Sequence, residues 1–337
     1  MADISPLVDA QQRFISAAEF RATGSEFLSL EQACGRVLFC DITAPMDLPP
    51  YPRVIVEGFL VNAHDTQGAS EASPLSFEIV GEVKPGDESC PPIAKGTALR
   101  VATGSIASEG PLAVVRRWEA TPQGNALSIT RSFPPRFFIE EQGVDLKHGT
   151  VVAQAGGLLG AWQLGLLASL GLAQVRVAHK PSVAIFSSGN EVIPHTAPLR
   201  PGAILDSNSV MLRAAVAQAG GSAYFAGIMQ DDFDAFVASA KLALQRADML
   251  LISGGTAVGG RDFISDLVRA LGNLIVDGVP MRSGRPLIMG KATNGKPIVC
   301  VAGHPPEALR GFNLFGVAAL NKLLGRELPL PEDAPAS

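Results

Sequence analysis

The sequence predicts an α/β protein whose C-terminal half is a doubly wound, mostly parallel sheet and whose N-terminal region carries an inserted β-rich domain. Three observations predict it. After Pro181, short apolar runs alternate with helix-length segments. Between Arg36 and about Arg136 the runs are short, β-rich and broken by Pro, Gly, Asn and Asp. Three of the later runs end in loops of small residues. Regular alternation means βαβ units, a parallel sheet and right-handed crossovers, and the short broken runs mean a β insertion.

In chain order, an amphipathic helix is expected over residues 6 to about 22 and a second over 29–34. The β runs of the insertion fall at 37–42, 58–61, 77–80, 98–101, 113–118 and 126–131. The stretch 150–175 holds no charged residue and is long enough to span a bilayer. Its glycines, its glutamines and the helical stripe Leu158, Leu159, Trp162, Leu166, Leu167 and Leu170 read instead as a buried helix, with Gly171 at the C-cap and a strand following at 173–177. His179-Lys180-Pro181 reads as a linker. Beyond it come strand 182–186, helix 208–219 stopped by Gly220-Gly221, strand 223–228, helix 232–246, strand 249–252, helix 262–271, a β stretch, strand 298–301 and a final helix to about 324.

Composition excludes several classes. At 337 residues two or three domains are expected, and 47% hydrophobic against 18% charged residues calls for packed cores rather than disorder. A net charge of -5 with scattered cations lacks the basic stripe that nucleic acid requires, but leaves room for a small anion. Cys34, Cys40, Cys90 and Cys300 form no CxxC pair and read as reduced thiols of a cytoplasmic protein. The N-terminus has acidic residues and no apolar core, so it is not a signal peptide.

The chemistry is expected in the loops. Ser187-Ser188-Gly189-Asn190-Glu191, Ser253-Gly254-Gly255 and Ala302-Gly303-His304-Pro305 each follow an apolar strand, and open α/β sheets bind ligands at the carboxyl ends of their strands. Successive loop amides there form a concave anion site. No GK[ST] motif and no strand-closing GxGxxG occurs, which excludes a P-loop NTPase and lowers the dehydrogenase reading. Glu191, Asp206, Asp231, Asp232 and Asp262 cluster at the same loops, where a Mg²⁺ bridging phosphates would need carboxylates. Helix capping is the alternative, above all for Asp232 and Asp262. Arg282 and Arg285 flank a tight turn that suits an oxyanion or is simply solvated, and His304 reads more as a polar loop residue than a catalyst.

These loops resemble the molybdopterin molybdenumtransferase family (bacterial MoeA and the gephyrin E domain), whose members insert molybdate into adenylylated molybdopterin and release AMP. The resemblance runs from about Val8 to Leu328. It rests on the order and spacing of Pro45 with Leu48-Pro49, Ala102-Thr103-Gly104, Gly143 with Asp145, Leu170-Gly171, Phe186 through Glu191, Asp206-Ser207-Asn208, Gln230-Asp231-Asp232, Ser253-Gly254-Gly255 with Val258-Gly259 and Asp262, and Gly303 with Pro305.

The resemblance implies an elongated linker domain over 25–45 and 146–178, an inserted β-rich domain over 46–145, and a molybdopterin-binding α/β domain over 179–328 joined by residues 1–24. A C-terminal β-barrel usually follows; with Ser337 the last residue, that domain is expected to be absent. The resemblance further implies a head-to-tail homodimer with a shared active site, and a molybdoenzyme or an adenylyltransferase as further partner. Residue by residue, it implies that Ser188, Gly189, Ser253, Gly254, Gly255, Gly303 and Pro305 hold the pterin phosphate or AMP moiety, with Thr103 facing them across the interface. Arg282 and Arg285 would receive molybdate or the terminal phosphate. Glu191, Asp206 and Asp262 would be catalytic, and Glu57, Glu191 and Asp232 would hold Mg²⁺.

The departures from the family pattern are specific. Where the family has D-N-S-A-M-D-G-Y-A, this chain reads Pro52-Arg53-Val54-Ile55-Val56-Glu57-Gly58-Phe59-Leu60, and Gly143-Val144-Asp145 replaces G-E-D. Arg282-Ser283-Gly284-Arg285-Pro286 keeps both charges of K-P-G-K-P as planar forks. P-G-N-P has become Ala302-Gly303-His304-Pro305. Three readings follow: a molybdenum-insertion enzyme, a carrier of the same family that binds molybdopterin without inserting metal, and an unrelated nucleotide-binding α/β enzyme.

Overall fold

The computed structural model describes residues 6–17, 20–254, 263–279 and 287–327. It divides into two compact units, one formed by residues 1–41 with 153–337 and the other by residues 42–152.

The chain opens with helix α1 (Pro6–Ala17) and strand β1 (Ser25–Ser29). Helix α1 is described as far as Ala17, and Phe20, which falls within the expected helix, is not helical and sets its ring edge-on to Phe14 at 5.9 Å. A short 3-10 turn (Leu30–Gln32) stands where a second helix is expected over 29–34, and ahead of it residues 25–29 pair antiparallel with 174–178 in a ladder that satisfies their backbone.

The 42–152 unit contains β2 (Ile42–Thr43), β3 (Arg53–Val54), β4 (Gly58–Asn62), β5 (Leu75–Val83), β6 (Thr97–Val101), β7 (Leu112–Arg116), β8 (Ala120–Gln123), β9 (Ala126–Ile129), β10 (Ile139–Glu140) and β11, which begins at Val151 and runs to Ala153. Six of these form one sheet in the order β7-β4-β6-β5-β9-β8. The two outermost strands, β7 and β8, are consecutive and joined by the turn Arg117–Glu119, so the sheet curls until its edges come within one turn of each other. Alternation places Phe59, Val61, Phe77, Ala113, Val115 and Leu127 in one core and Leu60, Val83, Leu99, Val101 and Val114 in another. The expected strand over 37–42 is reduced to bridges at Val37 and Leu38.

The chain continues with α2 (Ala161–Ser169), β12 (Gln174–Ala178), β13 (Ser182–Ser188), β14 (Val192–Ile193), β15 (Ile204–Leu205), α3 (Asn208–Gln218), β16 (Ser222–Met229), α4 (Phe233–Arg246), β17 (Met249–Gly254), α5 (Phe263–Leu271), β18 (Gly272–Asp277), β19 (Ile288–Ala292), β20 (Pro297–Val301), α6 (Pro305–Gly311) and α7 (Val317–Leu323). The helix of the uncharged stretch is present but not buried. Leu167 and Leu170 are covered, while Leu158 is 50% and Trp162 80% exposed. A nine-residue helix lying on the Leu30–Gln32 turn has too little chain above it to cover the rest of its apolar stripe. No described helix is long and apolar enough to cross a membrane.

The main sheet runs β16-β13-β17-β20-β19-β18, parallel through β20 and antiparallel beyond. It is doubly wound. Val183 and Ile185 of β13 face a core with Phe14, Leu212, Val216, Phe312 and Leu320, while Ala184 and Phe186 face the opposite core with Phe236, Leu244, Ile264 and Leu267. From β13 the chain goes first to β16 on one side and then crosses to β17 on the other. The winding therefore reverses between β13 and β17, which is where open α/β sheets leave a crevice.

Candidate functional site

Three parallel strand ends meet at that reversal. β13 ends in Ser187-Ser188, β17 in Ser253-Gly254, and Ala302-Gly303 follow β20. One side chain joins the last two. Asn208, the first residue of α3, donates from Nδ2 to Ser253 Oγ at 2.6 Å and to the Gly303 carbonyl at 2.7 Å. Ser253 Oγ donates onward to the Ala302 carbonyl at 3.2 Å. Beside it Asp206, 4% exposed, accepts from Ser187 Oγ at 2.9 Å and from the Ser209 N–H at 3.0 Å through a single oxygen. Asp206 thus caps the first turn of α3 and fixes that turn against the end of β13.

Gly254 permits this meeting. Its φ is +97°, and a Cβ there would sit 2.4 Å from the Ser188 carbonyl oxygen. Close packing of two strand ends is enough to require this glycine. A Cβ on Gly303 would lie 3.4 Å from the Gly254 Cα, an ordinary contact. At the junction, Ser188 Oγ and Asn208 Oδ1 are buried without a hydrogen-bond partner. Leaving such an atom unsatisfied costs about 1–3 kcal/mol, so each of the two marks a place where a hydrogen-bonding ligand would be received.

The expected carboxylates are differently employed. Residues 190–206 are pinned by the Ile204 N–H donating to the Glu191 carbonyl (2.8 Å) and the Asp206 N–H to the Ile193 carbonyl (2.9 Å). Glu191 is exposed, and its carboxylate folds over Gly189, where a Cβ would lie 2.7 and 2.8 Å from its two oxygens. Asp231 accepts from Asn190 Nδ2, and Asp232 is the N-cap of α4, accepting from the Ala235 N–H at 3.0 Å. Glu191 is left as the free carboxylate of this group among the described residues. Among the described residues no three His, Cys, Asp or Glu side chains converge as a metal site would require.

His304 is the N-cap residue of α6, with Pro305 at its first position and the His304 carbonyl accepting from Ala308 N–H at 2.9 Å. Gly255, Asp262, Arg282 and Arg285 lie outside the described residues.

Glu57 and Thr103 belong to the 42–152 unit, where they lie on neighbouring loops. Gly58 pairs with Val101 across β4 and β6, so the residue before one strand and the turn after the other share an end of the sheet. Both side chains are exposed. Gly58 is required for close approach, since a Cβ there would sit 2.0 Å from the Val115 carbonyl oxygen. The Glu57 carbonyl accepts from the Arg117 N–H at 3.3 Å. Next to it, Glu119 takes two bonds from Arg116 (2.8 and 2.9 Å) and one from Arg131, and these, Arg116 foremost, push its carboxyl down to about 2. Arg116 also lies 5.0 Å from the centre of the Trp118 ring, which is 72% exposed.

Asn208 was legible only as part of a matched triplet. Its signal as the linking residue is a polar amide placed at a helix start beside two small-residue loops. Arg116, Trp118 and Glu119 had no signal beyond a β run that ends in charge.

Comparisons with known proteins bear on the same two regions. Residues 5–171 match the family profile described as MoeA N-terminal region (domain I and II), and residues 184–322 the one described as probable molybdopterin binding domain. Molybdopterin molybdenumtransferase 2 of Mycobacterium tuberculosis is 33% identical over 334 residues, covering 96% of this chain and 80% of its own. The molybdopterin molybdenumtransferase of Bacillus subtilis is 32% identical over 311 residues, covering 90% and 72%. A crystal structure of a molybdopterin biosynthesis MoeA protein from Pyrococcus horikoshii superposes with a TM-score of 0.84 at 32% identity, covering 96% of this chain and 81% of the other.

Proposed function

The chain belongs to the MoeA family of molybdopterin molybdenumtransferases, and from that premise we propose that it inserts molybdate into adenylylated molybdopterin with release of AMP. The observation that carries this reading is the pair of unsatisfied buried atoms, Ser188 Oγ and Asn208 Oδ1, where three strand ends meet at the winding reversal.

In this reading the loops Ser188-Gly189, Ser253-Gly254-Gly255 and Gly303-His304-Pro305 hold the pterin phosphate and the AMP moiety. Arg282 and Arg285 receive molybdate or the terminal phosphate, and Asp262 serves as a catalytic carboxylate. A water oxygen adds to the adenylyl phosphorus as the bridging P–O bond breaks; AMP departs carrying that oxygen, the water's proton passes to solvent, and the phosphate stays on the pterin. Loops that hold the reacting groups in place lower the barrier by positioning and by fixed dipoles. Asp206 acts through position, since its accepting oxygen already holds Ser187 and Ser209.

Mg²⁺ takes oxygen ligands, commonly one or two carboxylates with substrate phosphates completing the shell. Glu191, exposed and unengaged, suits such a site, whereas Asp232 is committed to capping α4. The ion would supply charge neutralisation of the phosphates. Glu57 and Thr103, exposed on neighbouring loops, would come from the partner subunit of a head-to-tail homodimer in the cytoplasm, with an adenylyltransferase or a molybdoenzyme as passing partner.

The test is to incubate the purified protein with adenylylated molybdopterin, Mg²⁺ and molybdate. Molybdate-dependent AMP release that Glu191→Gln abolishes supports the reading. Tight pterin binding without AMP release makes the protein a carrier and overturns it.

A further inference from the structure

β16 is the outermost strand of the main sheet, and no described strand pairs with its far side. The Ser222 N–H donates to the Pro181 carbonyl at 2.8 Å, so Ser222 faces β13. Alternation then turns the N–H and C=O of Ala223 and Phe225 outward. Natural edges are blunted by charge, proline or a bulge. β16 reads Ser-Ala-Tyr-Phe-Ala-Gly-Ile-Met, without charge or proline, and its pairing with β13 is irregular only beyond Phe225. Residues 222–225 are therefore a regular, uncharged edge, unpaired among the described residues.

A cavity of about 480 Å³ lies along that stretch. Val210, Arg213, Ala214 and Ala217, spaced as one stripe of α3, line it from one side, and Ala223 lines it from the other. Small side chains on the helix leave room for a backbone beneath them. Lys180 and Arg213 also line the cavity, and among the described residues neither has an ion-pair or hydrogen-bond partner.

We propose that this edge receives an extended acidic segment of a partner protein, which adds a strand beside β16 under the α3 stripe and brings carboxylates to Lys180 and Arg213. Main-chain bonds from Ala223 and Phe225 supply the pairing, and the two cations select the partner, as in other strand-addition sites. A second copy of the chain is the weaker occupant, because its own β16 has no carboxylate to offer the two cations. The inference stands apart from the pterin site, since none of these residues belongs to the junction around Asn208.

The test uses the full chain and a fluorescent peptide of about ten residues that alternates glutamate with valine and threonine. A second peptide has lysine in place of glutamate. Expected results are binding of the glutamate peptide, exchange protection of the Ala223 and Phe225 amides, and affinity at least about tenfold weaker in the Lys180→Glu/Arg213→Glu protein. Ala223→Pro removes an outward N–H and should abolish binding; should that variant fail to fold, Ala214→Trp, which fills the cavity from the exposed face of α3, should do the same. Equal binding of the lysine peptide, no binding of either, or unchanged binding to Ala214→Trp overturns the proposal. Competition by inorganic phosphate without amide protection also overturns it, in favour of a simple anion site. So does concentration-dependent dimerisation lost in Ala223→Pro without peptide binding, which assigns the edge to a second copy.

Discussion

Asn208 Nδ2 lies 2.6 Å from Ser253 Oγ, and through that bond the start of α3 is held to the end of β17. The same amide nitrogen reaches the Gly303 carbonyl, so its loss unties two loops at once. Asn208→Ala is expected to lower unfolding stability by about 1–3 kcal/mol, the cost of leaving buried partners unsatisfied. It should also weaken pterin binding. Urea unfolding together with a binding isotherm checks both, and a variant stable as wild type would contradict the linking role.

Gly254 gives a sharper contrast. Gly254→Ala places a methyl against the Ser188 carbonyl in a left-handed backbone, and the expected loss exceeds about 2 kcal/mol. Gly303→Ala meets ordinary contacts and should stay within about 1 kcal/mol. Parallel denaturant curves decide whether the two glycines differ as stated.

Glu191 and Asp206 should separate function from stability. Glu191→Gln, at an exposed and unengaged carboxylate, should leave unfolding within about 0.5 kcal/mol of wild type while AMP release falls. Asp206→Ala removes a helix cap and strands the buried Ser187 hydroxyl, so about 1–3 kcal/mol should go with the activity. Loss of stability in Glu191→Gln would place that side chain in the scaffold instead.

Glu119 makes a pH prediction. Its folded carboxyl titrates at about 2, against an ordinary value of 4.5. A lowered folded value means stability that is fully present above pH 4.5 and lost as pH falls towards 2. After allowance for solvent screening the contribution is about 1 kcal/mol. Thermal melts between pH 5 and pH 2 of wild type and Glu119→Gln should converge at the acid end, and a constant gap would refute the assignment.

The centre of the main sheet was legible because β13, β17 and β20 are apolar on both faces and α3 is bounded by a recognisable stop. Helix α3 begins at Asn208 and Gly220 follows its C-cap, as the sequence implies. Elements whose identity depends on a distant partner were not legible. Residues 25–29 are a strand only because 174–178 lie beside them, and the apolar stripe of α2 looks like a core face though Trp162 stands in solvent. At the site, residue types pointed to three strand-end loops but not to the scaffold contacts found there. Asp206 and Asp232 sit beside loops read from the sequence as phosphate-binding, and each spends an oxygen on the helix that follows it. Gly254 reads as a phosphate glycine, and the structure gives it a second reason in the approach of Ser188.

The 42–152 unit begins and ends at the same place. The Ala44 N–H donates to the Thr150 carbonyl at 2.8 Å, and just outside the unit the Ala155 N–H donates to Asp41 Oδ1 at 2.8 Å. A chain that departs and returns through adjacent residues makes its insertion a detachable module. A tight turn in its place would leave the β1–β12 ladder intact, and the same junction could accept a foreign domain whose termini lie equally close.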